Sequence, residues 1–182
     1  MNNKKGWIIS MFIALALLTL NSLASAVDIG VGARGPAEPY QSSSLRGLSG
    51  VRLLVTDLNP DAERGGLIKS DLQTDIESRL RKAGIRVLTE EEWRETPRAP
   101  LLYVKADALR GSNIAYAYYI NVQLYQRVSI EQTPNNISGF AATWSTGSMG
   151  IADQVKLKGL VMGSLRNEVD EFIKAYLAEN LK

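Results

Sequence analysis

Between Tyr118 and Ile130 the chain alternates with a period of two. Tyr118, Ile120, Val122, Leu124, Val128 and Ile130 take one face of an extended strand, and Tyr119, Asn121, Gln123, Tyr125, Arg127 and Ser129 take the other. Successive strand side chains point to opposite sides of a sheet, so this pattern requires a sheet that is buried on one face and open on the other. Residues 101–109 and 138–146 are β-rich in the same way. With Gly111-Ser112-Asn113 and Pro134-Asn135-Asn136 as turns, the three segments predict an antiparallel meander, closed by Gly147 and Gly150. Trp144 aligns with Phe140 and Ala142 on one face of the third segment and is expected in the core.

Upstream the pattern changes. Val51–Thr56 is a β-branched first strand, followed by a loop marked by Asn59-Pro60 and Gly65-Gly66. Leu72, Ile76, Leu80 and Ala83 form one helical stripe, with Ser70 and Gln73 as a capping-box pair and Gly84 suited to the left-handed position past the helix end. Ile85–Leu88 then predicts a second strand, parallel to the first. Thr89 and Glu92 predict the cap of a short helix around Trp93, ended by Pro97 and Pro100. Beyond the meander, Asp153 can cap a final helix whose apolar residues recur every three or four positions from Leu157 to Leu177. The expectation is an α+β domain over 50–182 in the order β-α-β-α-β-β-β-α. Its mixed five-stranded sheet would carry two long helices packed on one face. Residues 27–49, with Pro36, Pro39 and three consecutive serines, are expected as an extended N-terminal segment.

Residues 1–26 have the order of a secretory signal peptide: Lys4 and Lys5, then the uncharged apolar run Trp7–Leu20, then Ala24-Ser25-Ala26 as a small-x-small cleavage site. The apolar run is shorter than the ~20 residues that a membrane-spanning helix needs. A periplasmic or secreted protein with no stable span after cleavage is therefore expected. Removing these residues leaves 156, with nineteen basic residues against nineteen acidic ones. A neutral domain offers no bulk attraction to nucleic acid or anionic membrane.

The chain contains neither cysteine nor histidine. That excludes disulfides, thiolate or imidazole metal ligands, Ser-His and Cys-His pairs, and a lipidated cysteine. No cofactor and no metal is expected. Asp57, Asn59, Asp61 and Glu63 resemble the start of a calcium loop, but Ala62 and Ile68 stand where the loop needs glycine and glutamate, so an Asx-rich turn is the simpler reading. Glu90, Glu91, Glu92 and Glu95 read as a solvated helix start. Ser145–Gly150 could support a Ser-Lys dyad with Lys156 or Lys158, or could be a strand-to-helix corner. Five of the seven tyrosines lie between 103 and 125. The composition of a recognition surface belongs to the open face of the central strand, so Tyr119, Asn121, Gln123, Tyr125 and Arg127 are the candidate binding residues. The expected activity is non-catalytic binding of an envelope protein or peptide; a carboxylate- or Ser/Lys-dependent hydrolase and a small-ligand or peptide carrier are the alternatives.

The stretch VRLLVTDLNPDAERGGLIKSDLQTDIESRLRKAGIRVLTEEEW, together with YVKADAL, FAATWSTGSMG and DEFIKAYLAEN, resembles a family of uncharacterised secreted bacterial proteins over residues 47–182. The resemblance implies a periplasmic domain and carries no catalytic residue. The element order is similar to the amino-terminal domain of the Tol-system propeller protein and to the plug lipoprotein of lipopolysaccharide assembly. Both similarities imply an adaptor working through protein contacts, although this chain has no propeller and no lipid-bearing cysteine. If the leader is processed as expected, protein recovered from the cell envelope begins at Val27. Intact mass measurement checks this, and a mass that includes residues 1–26 would contradict it.

Overall fold

The computed structural model describes residues 39–111, 115–130 and 137–181. Within them the order is α1 (Pro39–Ser43), β1 (Arg52–Val55), α2 (Pro60–Arg64), α3 (Lys69–Lys82), α4 (Glu90–Glu95), β2 (Leu101–Arg110), β3 (Ala115–Ile130), β4 (Ile137–Asp153) and α5 (Gln154–Asn180). The fold is α+β. The leader and both expected meander turns, apart from Gly111, lie outside the described residues.

Among the described residues the sheet has four strands in the order β1-β2-β3-β4, not the expected five. β1 runs parallel to β2, and β2-β3-β4 is an antiparallel meander. Residues 85–88, expected as a fifth strand, make a single parallel bridge between Val51 and Val87. The segment is held between Gly84 (φ +78°), just past α3, and the cap of α4 at Thr89, and it meets the start of β1 only through the bonds from Val51 N to the Arg86 carbonyl and from Leu88 N to the Val51 carbonyl. Of the two expected long helices, α5 has 27 residues and α3 has 14; α1, α2 and α4 are short.

One side of the sheet is buried. Leu102, Val104, Ala106 and Ala108 of β2, Tyr116, Ile120, Val122 and Leu124 of β3, and Trp144 and Ala152 of β4 join one apolar core with Leu72, Ile76 and Leu80 of α3 and the inward stripe of α5. The Trp144 and Phe172 rings meet edge-on at 5.2 Å. α3 and α5 are joined at their outer rims. Asp75 accepts from Arg79 at 3.0 Å and Arg166 at 2.9 Å, Arg79 reaches Asp170 at 2.9 Å, and Lys158 reaches Asp71 at 3.2 Å.

Several local expectations are corrected. α3 starts at Lys69 behind Ile68, so the Ser70–Gln73 pair does not cap it. Thr89 and Glu92 do form the capping box of α4. The Asn59–Glu63 loop contains α2, whose cap is Asn59. Gly147 and Gly150 do not close β4, which continues to Asp153. A Cβ at Gly147 would lie 2.6 Å from the Ile120 carbonyl oxygen, and one at Gly150 would lie 2.5 Å from the Tyr118 hydroxyl, so these glycines serve close strand and side-chain approach. Trp144 is core, but Phe140 and Ala142 are not its face-mates. The pairing steps from Leu124↔Trp144 to Tyr125↔Ala142, making Thr143 an extra residue that moves Phe140 and Ala142 to the open face.

The largest correction concerns residues 39–49. They belong to the domain, and Leu45 and Leu48 are in its core. Here the main chain is gripped by side chains. Arg98 donates to the carbonyls of Ser44 at 3.1 Å and Arg46 at 2.7 Å, and Gln126 donates to Ser44 at 3.0 Å. Asn180 donates to the Leu45 carbonyl at 2.9 Å and accepts from the Gly47 N–H at 2.8 Å, while the Tyr176 hydroxyl donates to the Leu48 carbonyl. Gln126 is the polar residue that interrupts the apolar face of β3. It is buried, and its side-chain amide N–H groups donate to this strap and to Thr143 Oγ1, at 2.7 Å.

Two predictions follow from this packing. Leu45→Ala should destabilise the protein by about 2–5 kcal/mol, the range for truncating a buried leucine; denaturant melts measure it, and a loss near zero would place the strap outside the cooperative unit. Partial burial alone would raise the Asp75 carboxyl, but the hydrogen bonds and charges of Arg166 and Arg79 bring it below its ordinary value. A lowered folded pKa contributes stability above the unfolded value, and that stability is lost as pH falls through the folded one. Asp75→Asn should therefore cost about 0.5–1 kcal/mol at neutral pH, and the gap from wild type should close below the carboxylate range. A gap independent of pH would contradict this account.

Candidate functional site

The face away from α3 and α5 carries the odd-numbered residues of β2 and β3. Its side chains lie in cross-strand rows fixed by the register: Leu109–Ala117–Ile151, then Asp107–Tyr119–Met149, Lys105–Asn121–Gly147, Tyr103–Gln123–Ser145, Leu101–Tyr125–Ala142 and Arg127–Phe140. β1 adds Leu54 beside Tyr103 and Arg52 beside Leu101. All five candidates stand on this face, along the single strand β3. Tyr119 and Arg127 are eight residues apart, about 26 Å at the rise of a strand. They line a surface and do not converge on a point.

The two ends of the face differ. At one end, Leu109 (64% exposed), Ile151 (67%), Met149 (55%) and Tyr119 (41%) border a shallow cavity of about 560 Å³. Ala117 and Asp107 also line that cavity. Four large apolar side chains in two adjacent rows make a contiguous patch, which carries more meaning than scattered exposure. At the other end the groups are aromatic and cationic. Arg52 lies over the Trp93 ring at 5.2 Å, Trp93 meets Phe140 at 6.1 Å between centroids, and Arg127 lies over Phe140 at 5.9 Å. Tyr125 packs edge-on against Tyr103 at 5.8 Å, and its hydroxyl donates to Gln123 at 3.2 Å. Between the ends, Lys105 and Asp107 pair at 3.1 Å. The hydrogen bond and charge of Asp107 raise the Lys105 pKa.

The sequence pointed to β3 and missed the flanking residues. Leu109 follows from continuing the alternation of β2. Met149 and Ile151 were hidden by the glycines around them, Phe140 by the Thr143 bulge, and Arg52 and Trp93 because their contact joins distant segments.

The residues considered for chemistry are not brought together. Asp57 is held by Lys69 at 2.7 Å, Asp61 by Arg64 and the Arg110 N–H, and Asn59 by Ala108; the hydrogen bonds to Asp57 and Asp61 lower both carboxyl pKa values. Glu90 is lowered by Arg94 and Arg52, and Glu92 by the Thr89 N–H. Ser145 is on the open face, whereas the Ser148 hydroxyl is buried on the helix side. Lys156 pairs with Asp153, and Lys158 with Asp71. Among the described residues no cluster of three or more acidic side chains could hold a metal ion, and no helix is long and apolar enough to cross a membrane.

This architecture defines an α+β domain in which, among the described residues, the two longest helices lie on one side of a sheet and the other side is largely exposed. In comparison with known proteins, no family model matches the chain and no curated protein matches its sequence.

Proposed function

We propose that the chain is a non-catalytic binding or adaptor module of the bacterial envelope. It is exported to the periplasm or beyond, and the open face of its sheet takes an envelope protein or peptide. The observation that carries this reading is the uncovered face itself, with an apolar patch at one end, stacked aromatic and guanidinium groups at the other, and amides between. Aromatic, methionine and arginine side chains are the types enriched where proteins meet. The arrangement of α3 and α5 on one side supports the reading because, among the described residues, it leaves most of the other side uncovered, with Trp93 of α4 reaching it at the Arg52–Phe140 end. Export rests on the N-terminal sequence, and the resemblance of residues 47–182 to secreted bacterial proteins agrees with it.

A second reading, a carrier of a small apolar ligand or peptide, is favoured by the cavity beside Tyr119, whose volume lies within the range of small-molecule sites. One set of variants separates the two. Tyr119→Ala with Tyr125→Ala should leave folding stability within about 1 kcal/mol, since both side chains are partly exposed. It should weaken partner binding by about tenfold or more. Photocrosslinking from positions 119 and 125 should yield a defined envelope adduct that a probe on the α3–α5 surface does not. Adducts confined to the helical surface would overturn the adaptor reading. A small bound mass in native mass spectrometry, lost in the double variant, would establish the carrier instead.

A further inference from the structure

The two ends of the open face complement each other. Six of the ten exposed large apolar side chains among the described residues stand on this face. Leu109, Tyr119, Met149 and Ile151 are at one end, Phe140 is at the other, and Leu54 of β1 lies between. The apolar surface therefore runs the length of the face, well beyond the cavity at the Tyr119 end. Charge is divided between the ends. Asp107 shares the row of Tyr119 and Met149, whereas the exposed Arg127 stands over Phe140. Arg52 belongs to the Phe140 end as well, but Glu90 holds it at 2.7 Å.

Size decides what kind of partner fits. From the Ala117 row to the Arg127 row the face is about 40 Å long, and its strands make it about 15–20 Å wide. That is about 600–800 Å², close to the ~800 Å² that each member of a stable protein pair buries. A small ligand in the Tyr119 cavity would cover one end alone. A second sheet can cover the whole, packed face to face about 10 Å away. For two copies of this chain, a two-fold axis between the sheets allows two arrangements. With the axis along β3, Arg127 of one copy opposes Arg127 of the other. With the axis across the strands, between Asn121 and Gln123, the ends exchange. The Tyr119 row then meets the Tyr125 row, and the Ala117 row meets Arg127 and Phe140. Asp107 comes within a side chain's reach of Arg127 in the second copy, so apolar groups meet apolar groups and opposite charges meet.

We propose that the open face pairs with the same face of a second copy of this chain, in a two-fold dimer with the ends exchanged. The proposal rests on the reading of this face as a protein-recognition surface, and it names the partner.

Expressed from its complete coding sequence, the chain should sediment as a dimer that dissociates in the micromolar range or below. Asp107→Arg and Arg127→Asp should each weaken association by about tenfold or more, because each sets like charges together at both symmetric contacts. An equal mixture of the two variants should regain it, since both contacts of the mixed pair join arginine to aspartate. Leu109→Lys, at a position 64% exposed, should also weaken association. It replaces an uncharged side chain, so the test stands even if a charge variant misfolds. A chain still monomeric at about 100 µM would overturn the proposal, as would a dimer indifferent to these variants. Weakening without recovery on mixing would overturn the exchange of ends. The recognition reading fails separately. A monomer whose positions 119 and 125 photocrosslink to another envelope protein keeps that reading and removes the dimer. Adducts confined to the α3–α5 surface remove both.

Discussion

The structure depends on the parity of β3. This strand is paired on both sides, by β2 over ten residues and by β4 across nearly its whole length. Each of its residues is therefore committed to a face. The even face, with Ile120, Val122 and Leu124, requires helices above it; the odd face requires none. α5, about 40 Å long at 1.5 Å per residue, covers the even face with α3 alongside, and a single core results. The open face is thus a consequence of how the core is built, and its chemistry is set by the residues that the core does not use.

That parity is also what made the protein legible. The α+β class, the meander, the stripe of α3, the cap of α4, the Asp153 cap of α5 and the placement of the five β3 residues follow from period and capping chemistry, which are local. The misses share a physical cause. The Thr143 bulge changes which face Phe140 takes without altering the appearance of the sequence. Gly147 and Gly150 look like turn residues but fit against Ile120 and Tyr118, contacts made across strands. Ile85–Leu88 has strand composition, yet pairing also needs length and a neighbour.

The strap at residues 44–48 is the clearest instance. Its sequence is short and polar, and two leucines are too few to announce a core element. What places it is hydrogen bonding from Arg98, Gln126, Tyr176 and Asn180 to main-chain carbonyls, donors that come from far along the chain. Arg98 and Ala99 adopt left-handed backbone conformations, with φ of 65° and 43°, uncommon for residues other than glycine. The Arg98 carbonyl accepts from Arg127 N at 2.7 Å while its guanidinium grips the strap. One turn thereby ties the start of the domain to the end of the open face that holds Arg127 and Phe140.

The strap also decides how the domain would bear a load. Gly47 and Arg46 are bound to Asn180 and Glu179 at the end of α5, so the two ends of the folded unit are fastened to each other. Tension applied between them would fall first on these few side-chain contacts, peeling the strap and the last helical turn. The ladders of β2, β3 and β4 lie outside that path, and the sheet would keep its shape after the ends had parted.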